Sequence, residues 1–201
     1  MAMIGLLGGT FNPPHLGHIR EAKLAFERLG LERVIFMPAN LPPHKNLPEG
    51  TPGAKQRFDM IALAARGLEF AEVSRIELER EGQSFTIDTV GELESLYSGR
   101  KIVIICGSDM MVTLENWRRG DELMRRCVIA AFARGIAEDE LMLEKAGEFR
   151  IRYGADIRIF YDEAVEISSS ELRELIRMGF GAKFLPDGVL GYIIDNNLYG
   201  T

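Results

Sequence analysis

Short apolar runs alternate along the chain with segments whose apolar residues recur every three or four positions. The runs predict strands over residues 3–7, 33–37, 73–78, 101–106, 127–133 and 157–160. The helical spacing predicts helices over residues 16–29, 54–66, 86–97, 110–117, 138–149, 170–178 and 189–196. The first predicted helix stops at Gly30, a residue that often follows a helix.

Strands that alternate with helices indicate an α/β fold with a parallel sheet covered on both faces. The β-branched run KIVIIC at 101–106 fits a strand that is buried on both sides. Right-handed crossovers then give a doubly wound parallel sheet, in which ligands bind beyond the carboxyl ends of the strands. We expect a single domain over residues 1–201, with residues 167–201 as a small C-terminal helical part.

Composition and charge narrow the class of partner. The 201 residues are 46% hydrophobic and carry a net charge of −6, whereas proteins that bind duplex nucleic acid usually have a basic surface. We therefore expect no nucleic acid partner, although a few cations in one cleft still attract a small anion. No apolar run is long enough to span a membrane, and the two cysteines lie in apolar runs. We expect a cytoplasmic protein without a membrane partner, and a homo-oligomer stays open.

The segment GGTFNPPHLGH at 8–18 follows the first predicted strand and leads into a helix. Gly8 and Gly9 allow backbone N–H groups to approach a phosphate, and the helix N-terminus adds a positive dipole end. His15 and His18 are three positions apart and share one face of the first turn. As imidazoliums, both could donate hydrogen bonds to a polyphosphate; the alternative is that they only cap the helix.

A loop between residues 38 and 52 holds five of the eight prolines, which exclude regular structure there. Loops of this length are often functional, and this one carries Asn40, His44 and Lys45. Considered alone, a lysine in such a loop is more often simply solvated.

Three later segments have purely local interpretations as well. Asp109 follows a predicted strand and either binds ribose hydroxyls or caps the next helix. Trp117 either stacks on a flat ring or packs in the core. Ser168 with Ser169 forms an N-cap, and Arg173, one turn later, either contacts an anion at that helix N-terminus or is solvated.

The string HLGH at 15–18 resembles the H-x-G-H signature of the nucleotidyltransferase superfamily, whose fold is a Rossmann-like doubly wound sheet. The longer GGTFNPPHLGH is similar to bacterial nicotinate mononucleotide adenylyltransferases, which usually read GGTF-D-P-[IV]-H-x-G-H. Asn12 and Pro14 depart from that form without removing a phosphate ligand. Further matches are NLPPHK at 40–45, FTIDT at 85–89, GSD at 107–109 and ISSSELR at 167–173. The family's A-R-P-G reads A-R-G here, which leaves the role of Arg134 open.

The resemblance implies an enzyme that converts ATP and nicotinate mononucleotide to deamido-NAD and pyrophosphate. It implies catalytic roles for His15 and His18 on the α and β phosphates, and for Lys45 and Arg173 on the developing charge. The implied substrate-binding residues are Gly8, Gly9, Thr10, Phe11, Asn40, His44, Thr86, Gly107, Asp109, Trp117, Arg134, Ser168 and Ser169. Mg²⁺ is expected to be bound through the ATP phosphates, with no metal site formed by the protein itself.

Two alternatives remain beside this interpretation. The acceptor can be phosphopantetheine or nicotinamide mononucleotide, although the pantetheine type usually reads T-x-G-H where this chain has His15. The chain can also be a nucleotide sensor without turnover. We expect nicotinate to be preferred over nicotinamide, because the free N–H groups of a helix beginning near Thr86 favour a carboxylate. Asp88 would then point outward from the first turn of that helix.

Overall fold

The computed structural model describes residues 1–43, 47–133, 136–161 and 167–201, and of residues 136–139 only the backbone. His44, Lys45 and Arg134 therefore lie outside the described residues. The described strands are β1 (Met3–Gly9), β2 (Arg33–Pro38), β3 (Ala71–Val73), β4 (Lys101–Gly107), β5 (Val128–Phe132) and β6 (Asp156–Phe160). They form one parallel sheet in the order β3-β2-β1-β4-β5-β6. The predicted doubly wound sheet is confirmed, with its switch point between β1 and β4.

Helices cover both faces of this sheet. They are α1 (Leu16–Leu29), α2 (Ala54–Ala64), α3 (Ile76–Glu79), α4 (Thr86–Leu96), α5 (Ser108–Met111), α6 (Gly120–Arg126), α7 (Ile136–Tyr153), α8 (Ser169–Arg177) and α9 (Val189–Asp195). Within the described ranges, no helix combines the length and the apolar character needed to cross a membrane.

The central strand β4 shows why the chain forms two cores. Ile102, Ile104 and Cys106 face a core completed by α4, α5, α6 and α7. Val103 and Ile105 face the opposite core, which α1, α2, α8 and α9 complete. A run that alternates between two apolar faces must be apolar at every position, and this explains the KIVIIC sequence.

The predicted strand over 73–78 is wrong except at its first residue, because β3 ends at Val73 and α3 begins at Ile76. The N–H of Ser74 makes the last bond to β2, at the carbonyl of Phe36, over 3.0 Å. The Ser74 hydroxyl then accepts a bond of 3.3 Å from the N–H of Ile76 and so starts the short helix. This side-chain bond overrides the alternating pattern of the sequence.

The predicted helix over 110–117 is also different in the structure. It divides into α5 and a 3₁₀ turn at Leu114–Asn116, and α6, which the sequence did not predict, begins at Gly120. A Cβ atom on Gly120 would lie 1.9 Å from the carbonyl oxygen of Leu114. Only glycine permits this approach, which folds the segment around Trp117 into a turn.

Candidate active site

The loop after β1 lies at the switch point of the sheet, where a doubly wound fold places its ligands. Gly8 has open space where a Cβ would be, whereas a Cβ on Gly9 would lie 3.2 Å from the ring of Phe11. The carbonyl of Gly9 accepts a 2.9 Å bond from the N–H of Ala39, so the ends of β1 and β2 remain joined. Gly8 is therefore open to the cavity, while Gly9 is needed for the packing behind it.

The two histidines lie together, as their spacing predicts. His15 is the N-cap residue of α1 and is 5% exposed, and its ring centroid lies 3.7 Å from that of His18. The backbone N–H of His15 donates to Nδ1 of His18 over 3.1 Å. Since Nδ1 accepts this bond, Nε2 is the ring nitrogen of His18 that can carry a donor N–H.

Phe11 lies behind the histidines. It has a positive φ of 49° and is 1% exposed. Its ring meets that of His18 edge to face, with centroids 5.1 Å apart and an angle of 72° between the planes. The side chain expected to bind substrate therefore supports His18 from the core and does not line the cavity.

The late serine motif docks onto this same loop. Ser168 is the N-cap of α8, and its hydroxyl accepts a 3.2 Å bond from the N–H of Glu171. Ser169 donates from its hydroxyl to the carbonyl of Pro13 over 3.2 Å. Arg173 donates from Nη1 to the carbonyl of Asn12 over 2.8 Å. The expected residues Ser168, Ser169 and Arg173 thus lie beside the histidine loop, although more than 150 residues separate them along the chain.

A cavity of about 460 Å³ begins at this loop and extends across the carboxyl ends of the strands. Of the expected substrate-binding residues, it is lined by Gly8, Gly9, Thr10, Thr86, Asp109 and Trp117. One cavity therefore joins Gly8, Gly9 and Thr10 of the loop after β1, which we call the phosphate loop, to Trp117, whereas His15, His18 and Arg173 do not line it.

Asp109 and Gly107 stand where β4 ends. Gly107 is the N-cap residue of α5, and Asp109 lies in the first turn of that helix and lines the cavity. Asp109 is thus not the N-cap residue, and its place in the cavity wall is consistent with contact with a ligand. Trp117 is half-buried, and its indole N–H donates to the hydroxyl of Thr113 over 3.4 Å, which orients one edge of the ring.

Asn40 connects the start of the proline loop to the segment before α4. Its backbone N–H donates to the hydroxyl of Ser84 over 3.0 Å, and its side-chain amide donates to the carbonyl of Arg80 over 3.4 Å. Asn40 therefore links the start of the proline loop to the segment before α4. Thr86 is the first residue of α4, and Asp88 is exposed in its first turn, as expected.

Two charged residues of the cavity wall, Glu77 and Arg118, were not predicted from the sequence. Glu77 is 6% exposed and accepts a 2.6 Å bond from the hydroxyl of Thr89. Burial raises its pKa, and the bonds from Thr89 and Ser84 oppose the change. Arg118 lines the cavity beside Trp117 with its guanidinium 4.4 Å above the ring centroid of Phe85. The sequence feature that could have indicated Arg118 is a charged residue directly after Trp117. Nothing in the sequence around Glu77 indicated that this residue lines a cavity.

Across the described ranges, no group of three or more His, Cys, Asp or Glu side chains could hold a metal ion. The polar groups around the phosphate loop are N–H donors, imidazoles and guanidiniums. Such groups bind anions, so a divalent cation fits this end of the cavity as a partner of the ligand's own phosphates.

The chain matches one protein family and relatives that share one name. The family described as Cytidylyltransferase-like matches residues 6–175. A probable nicotinate-nucleotide adenylyltransferase of Carboxydothermus hydrogenoformans is 39% identical over 199 residues, which are 98% of each chain. Another from Lachnoclostridium phytofermentans is 36% identical over 99% of this chain and 100% of its own length.

A solved structure with the same fold is that of Plasmodium falciparum nicotinic acid mononucleotide adenylyltransferase in complex with NaAD. It superposes with a TM-score of 0.78 at 19% identity and covers 99% of this chain and 98% of its own. At that identity the likeness concerns the fold alone.

Proposed function

The chain belongs to the cytidylyltransferase-like family and, within it, to the nicotinate-nucleotide adenylyltransferases, and we propose that it transfers the adenylyl group of ATP to nicotinate mononucleotide. The products are deamido-NAD and pyrophosphate, a step of NAD biosynthesis. The family predicted from the sequence motifs is thereby confirmed.

The observation that carries this proposal is the continuity of the cavity. Gly8, Gly9 and Thr10 line one end, and Phe85 and Trp117 line the other. A transfer between two nucleotides needs a polyphosphate site and a flat-ring site within reach of each other. A single cavity that joins the two supplies this arrangement.

The reaction needs no general base from the protein, because the phosphate oxygen of the acceptor is already ionised at neutral pH. That oxygen attacks the α-phosphorus in line. A new P–O bond forms while the bond to the pyrophosphate oxygen breaks. Catalysis then consists of positioning and of stabilising the charge on the transferred group and on pyrophosphate.

In this scheme the Nε2–H of His18 donates to a phosphate oxygen, and His15 fixes its ring through the bond from its backbone N–H. Arg173 spans the carbonyls of Asn12 and Ser169, which holds its guanidinium against the histidine loop. The α8 N-terminus at Ser168 and Ser169 adds a positive dipole end. Lys45 and His44 remain proposed phosphate ligands, and Arg134 a proposed contact, outside the described residues.

Mg²⁺ would enter bound to the ATP phosphates and would offset part of their charge. The protein's own groups at this end are anion ligands, so the ion would be held mainly by phosphate oxygens and water. Asp109 is proposed to accept a hydrogen bond from a ribose hydroxyl, since it lines the same cavity.

Selection of the acceptor ring is proposed to involve two groups at the aromatic end. The first N–H groups of α4, next to Thr86, have no partner within the helix. The guanidinium of Arg118 adds a full positive charge to the same wall. Both favour the carboxylate of nicotinate over a carboxamide.

We also propose that residues 1–201 form one domain whose C-terminal part completes the phosphate end.

The test is pyrophosphate release from ATP with three acceptors: nicotinate mononucleotide, nicotinamide mononucleotide and phosphopantetheine. Nicotinate mononucleotide should give the highest kcat/KM, about 10- to 150-fold above the nicotinamide compound, which is the value of a charged hydrogen bond. Highest turnover with phosphopantetheine would assign a sibling activity, and binding of ATP without turnover of any acceptor would indicate a sensor.

A further inference from the structure

Arg57, in the first turn of α2, is a fully buried cation. It is 1% exposed and has the largest side chain among the fully buried residues that the structure describes. Its Nη1 donates to the carbonyls of Thr10, over 2.8 Å, and Ala39, over 2.7 Å. Its Nη2 donates to the carbonyl of Asn40 over 3.0 Å, and its Nε to that of Pro52 over 3.2 Å. All four acceptors are neutral backbone oxygens.

The charge of Arg57 is uncompensated within the described part of the chain, where no carboxylate lies within ion-pair distance of it. Buried charges in proteins are normally paired, because the loss of water around an ion is costly. Burial lowers the pKa of Arg57, yet a guanidinium stays protonated in proteins. Among the described residues, the interior behind the loop therefore holds a guanidinium charge that no carboxylate pairs.

The buried charge of Arg57 lies next to the phosphate loop. Thr10 follows the glycine pair and lines the cavity, and its carbonyl is bonded directly to the buried guanidinium. The other acceptors are the carbonyls of Ala39 and Asn40, which follow β2, and of Pro52, which precedes the N-cap residue of α2. One side chain therefore joins three backbone segments of the site. Arg57 does not itself line the cavity, so it lies behind the loop and not in the cavity wall.

The neighbouring polar side chains do not neutralise this charge. The hydroxyl of Tyr199 donates to Oδ1 of Asn12 over 2.8 Å, and the amide of Asn12 donates to Thr51 over 3.3 Å. Burial raises the pKa of the Tyr199 phenol, although Arg173 and Arg57 oppose that change, so the phenol stays neutral at physiological pH. The groups nearest to the loop on this side are therefore neutral or positive.

We propose that Arg57 is a positioning residue whose buried charge is neutralised by the polyphosphate of the bound nucleotide, so that it strengthens binding in proportion to the ligand's negative charge. The proposal rests on the proposed function in taking the phosphate site to lie at Gly8, Gly9 and Thr10. In the low-dielectric interior a charge acts over several ångströms, and Arg57 needs no direct contact with the ligand.

The test measures the affinity of Arg57→Gln for ligands of increasing charge: adenosine, AMP, ADP, ATP and pyrophosphate. We expect pyrophosphate and ATP to bind about 10- to 100-fold more weakly, AMP to lose less, and adenosine to stay within about twofold of the unmodified protein. A merely structural role would weaken all five ligands by the same factor. The matched control is Lys55→Gln, which removes a positive charge from the same helix at a side chain that is 79% exposed.

Two further variants keep the test decisive if Arg57→Gln does not fold. Arg57→Lys keeps the charge with fewer bonds and should bind pyrophosphate within about fivefold of the unmodified protein. Asn12→Asp keeps the four bonds, adds a carboxylate beside Tyr199, and should weaken pyrophosphate more than adenosine. Equal losses for adenosine and pyrophosphate, or unchanged pyrophosphate affinity in the neutralised variants, would overturn the inference. An unmodified protein that binds pyrophosphate but fails to adenylate nicotinate mononucleotide would contradict the proposed function alone.

Discussion

The phosphate end of the cavity and its aromatic end differ in how their side chains are held. At the phosphate end, Phe11 and His15 are nearly inaccessible, and the loop carbonyls are bonded by arginines from α2 and α8. At the aromatic end, Trp117 follows a 3₁₀ turn and is half-buried, while Arg118 is exposed and rests on Phe85. The buried charge of the first end is a guanidinium, and that of the second is the carboxyl of Glu77.

This difference corresponds to what each end must do. In the proposed reaction the phosphate end is assigned the stabilisation of charge that develops during transfer, a task to which donors fixed in advance contribute most. The aromatic end is assigned the recognition of one ring among similar ones, which depends on a few contacts at the cavity wall. The first three of the four predictions below test this division of roles, and the fourth tests the buried charge of the aromatic end.

The largest effect is expected at the histidine pair. His18→Ala removes the Nε2–H donor, and loss of one fixed donor typically lowers kcat by about 10²–10³. The KM for nicotinate mononucleotide should change far less, since its ring binds at the opposite end. Steady-state pyrophosphate release measures both constants, after circular dichroism has verified the fold. His15→Ala should show the same pattern, and retention of most activity by both variants would remove the histidines from the mechanism.

The next effect concerns the turn that carries the aromatic end. Gly120→Ala would place a methyl group 1.9 Å from the carbonyl oxygen of Leu114. The turn must then shift, at a cost of about 1–3 kcal/mol in the free energy of unfolding. Affinity for nicotinate mononucleotide should fall as Trp117 moves, while affinity for pyrophosphate should not. Urea unfolding and calorimetric titration measure these quantities.

The control for this substitution is Gly147→Ala in α7, where no atom lies within 4 Å of the added Cβ. Alanine in a helix interior should stabilise the protein there by about 0.5–1 kcal/mol. An equally harmless Gly120→Ala would show that the turn is not constrained as the structure indicates.

A smaller effect is expected for acceptor choice. Arg118→Met keeps much of the packing on Phe85 and removes the charge, so the preference for nicotinate over nicotinamide mononucleotide should fall about tenfold. The quantity to measure is the ratio of the two kcat/KM values with ATP fixed. Arg125→Met on α6 is the matched control, because this exposed arginine pairs with Asp121. If both variants kept the ratio of the unmodified protein, the N-terminus of α4 would remain as its source.

The two ends of the cavity also differ in how well the sequence predicted them. The phosphate end depends on contiguous strings such as residues 8–18 and 167–173, and local spacing is enough to place their side chains on one face. Their long-range contact, Ser169 with Pro13, is a tertiary contact that neither string predicts by itself. Five of the six strands were predicted because their apolar runs are continuous, whereas the strand predicted over 73–78 meets β3 only at Val73.

The aromatic end was harder to predict because it is formed by tertiary contacts. The predicted helix over 110–117 was wrong because the sequence pattern does not show the close approach of Gly120 to the carbonyl of Leu114. Glu77 was missed because a charged residue is usually exposed, and its partner Thr89 lies on another helix. Arg57 was missed for the same reason, since its acceptors are backbone carbonyls that carry no sequence signal.

The smallest effect concerns Glu77, the buried charge of the aromatic end. Burial raises its pKa above the ordinary glutamate value of about 4.3, and the bonds from Thr89 and Ser84 limit the change. A raised folded-state pKa means that the native protein binds the proton more tightly than the unfolded chain. The contribution to stability is therefore complete below the unfolded pKa and is lost as the pH rises through the raised folded pKa.

Glu77→Gln is neutral throughout this range and can still accept the bond from Thr89. The unmodified protein should consequently lose stability relative to Glu77→Gln as the pH increases from about 4 towards neutrality. Urea unfolding at several pH values gives the difference, with the exposed Glu79→Gln on the same helix as control. A difference that is constant with pH, or that changes in the opposite direction, would mean that Glu77 is ionised without cost. The buried carboxyl would then be matched by its hydroxyl donors, and its contrast with Arg57 would disappear.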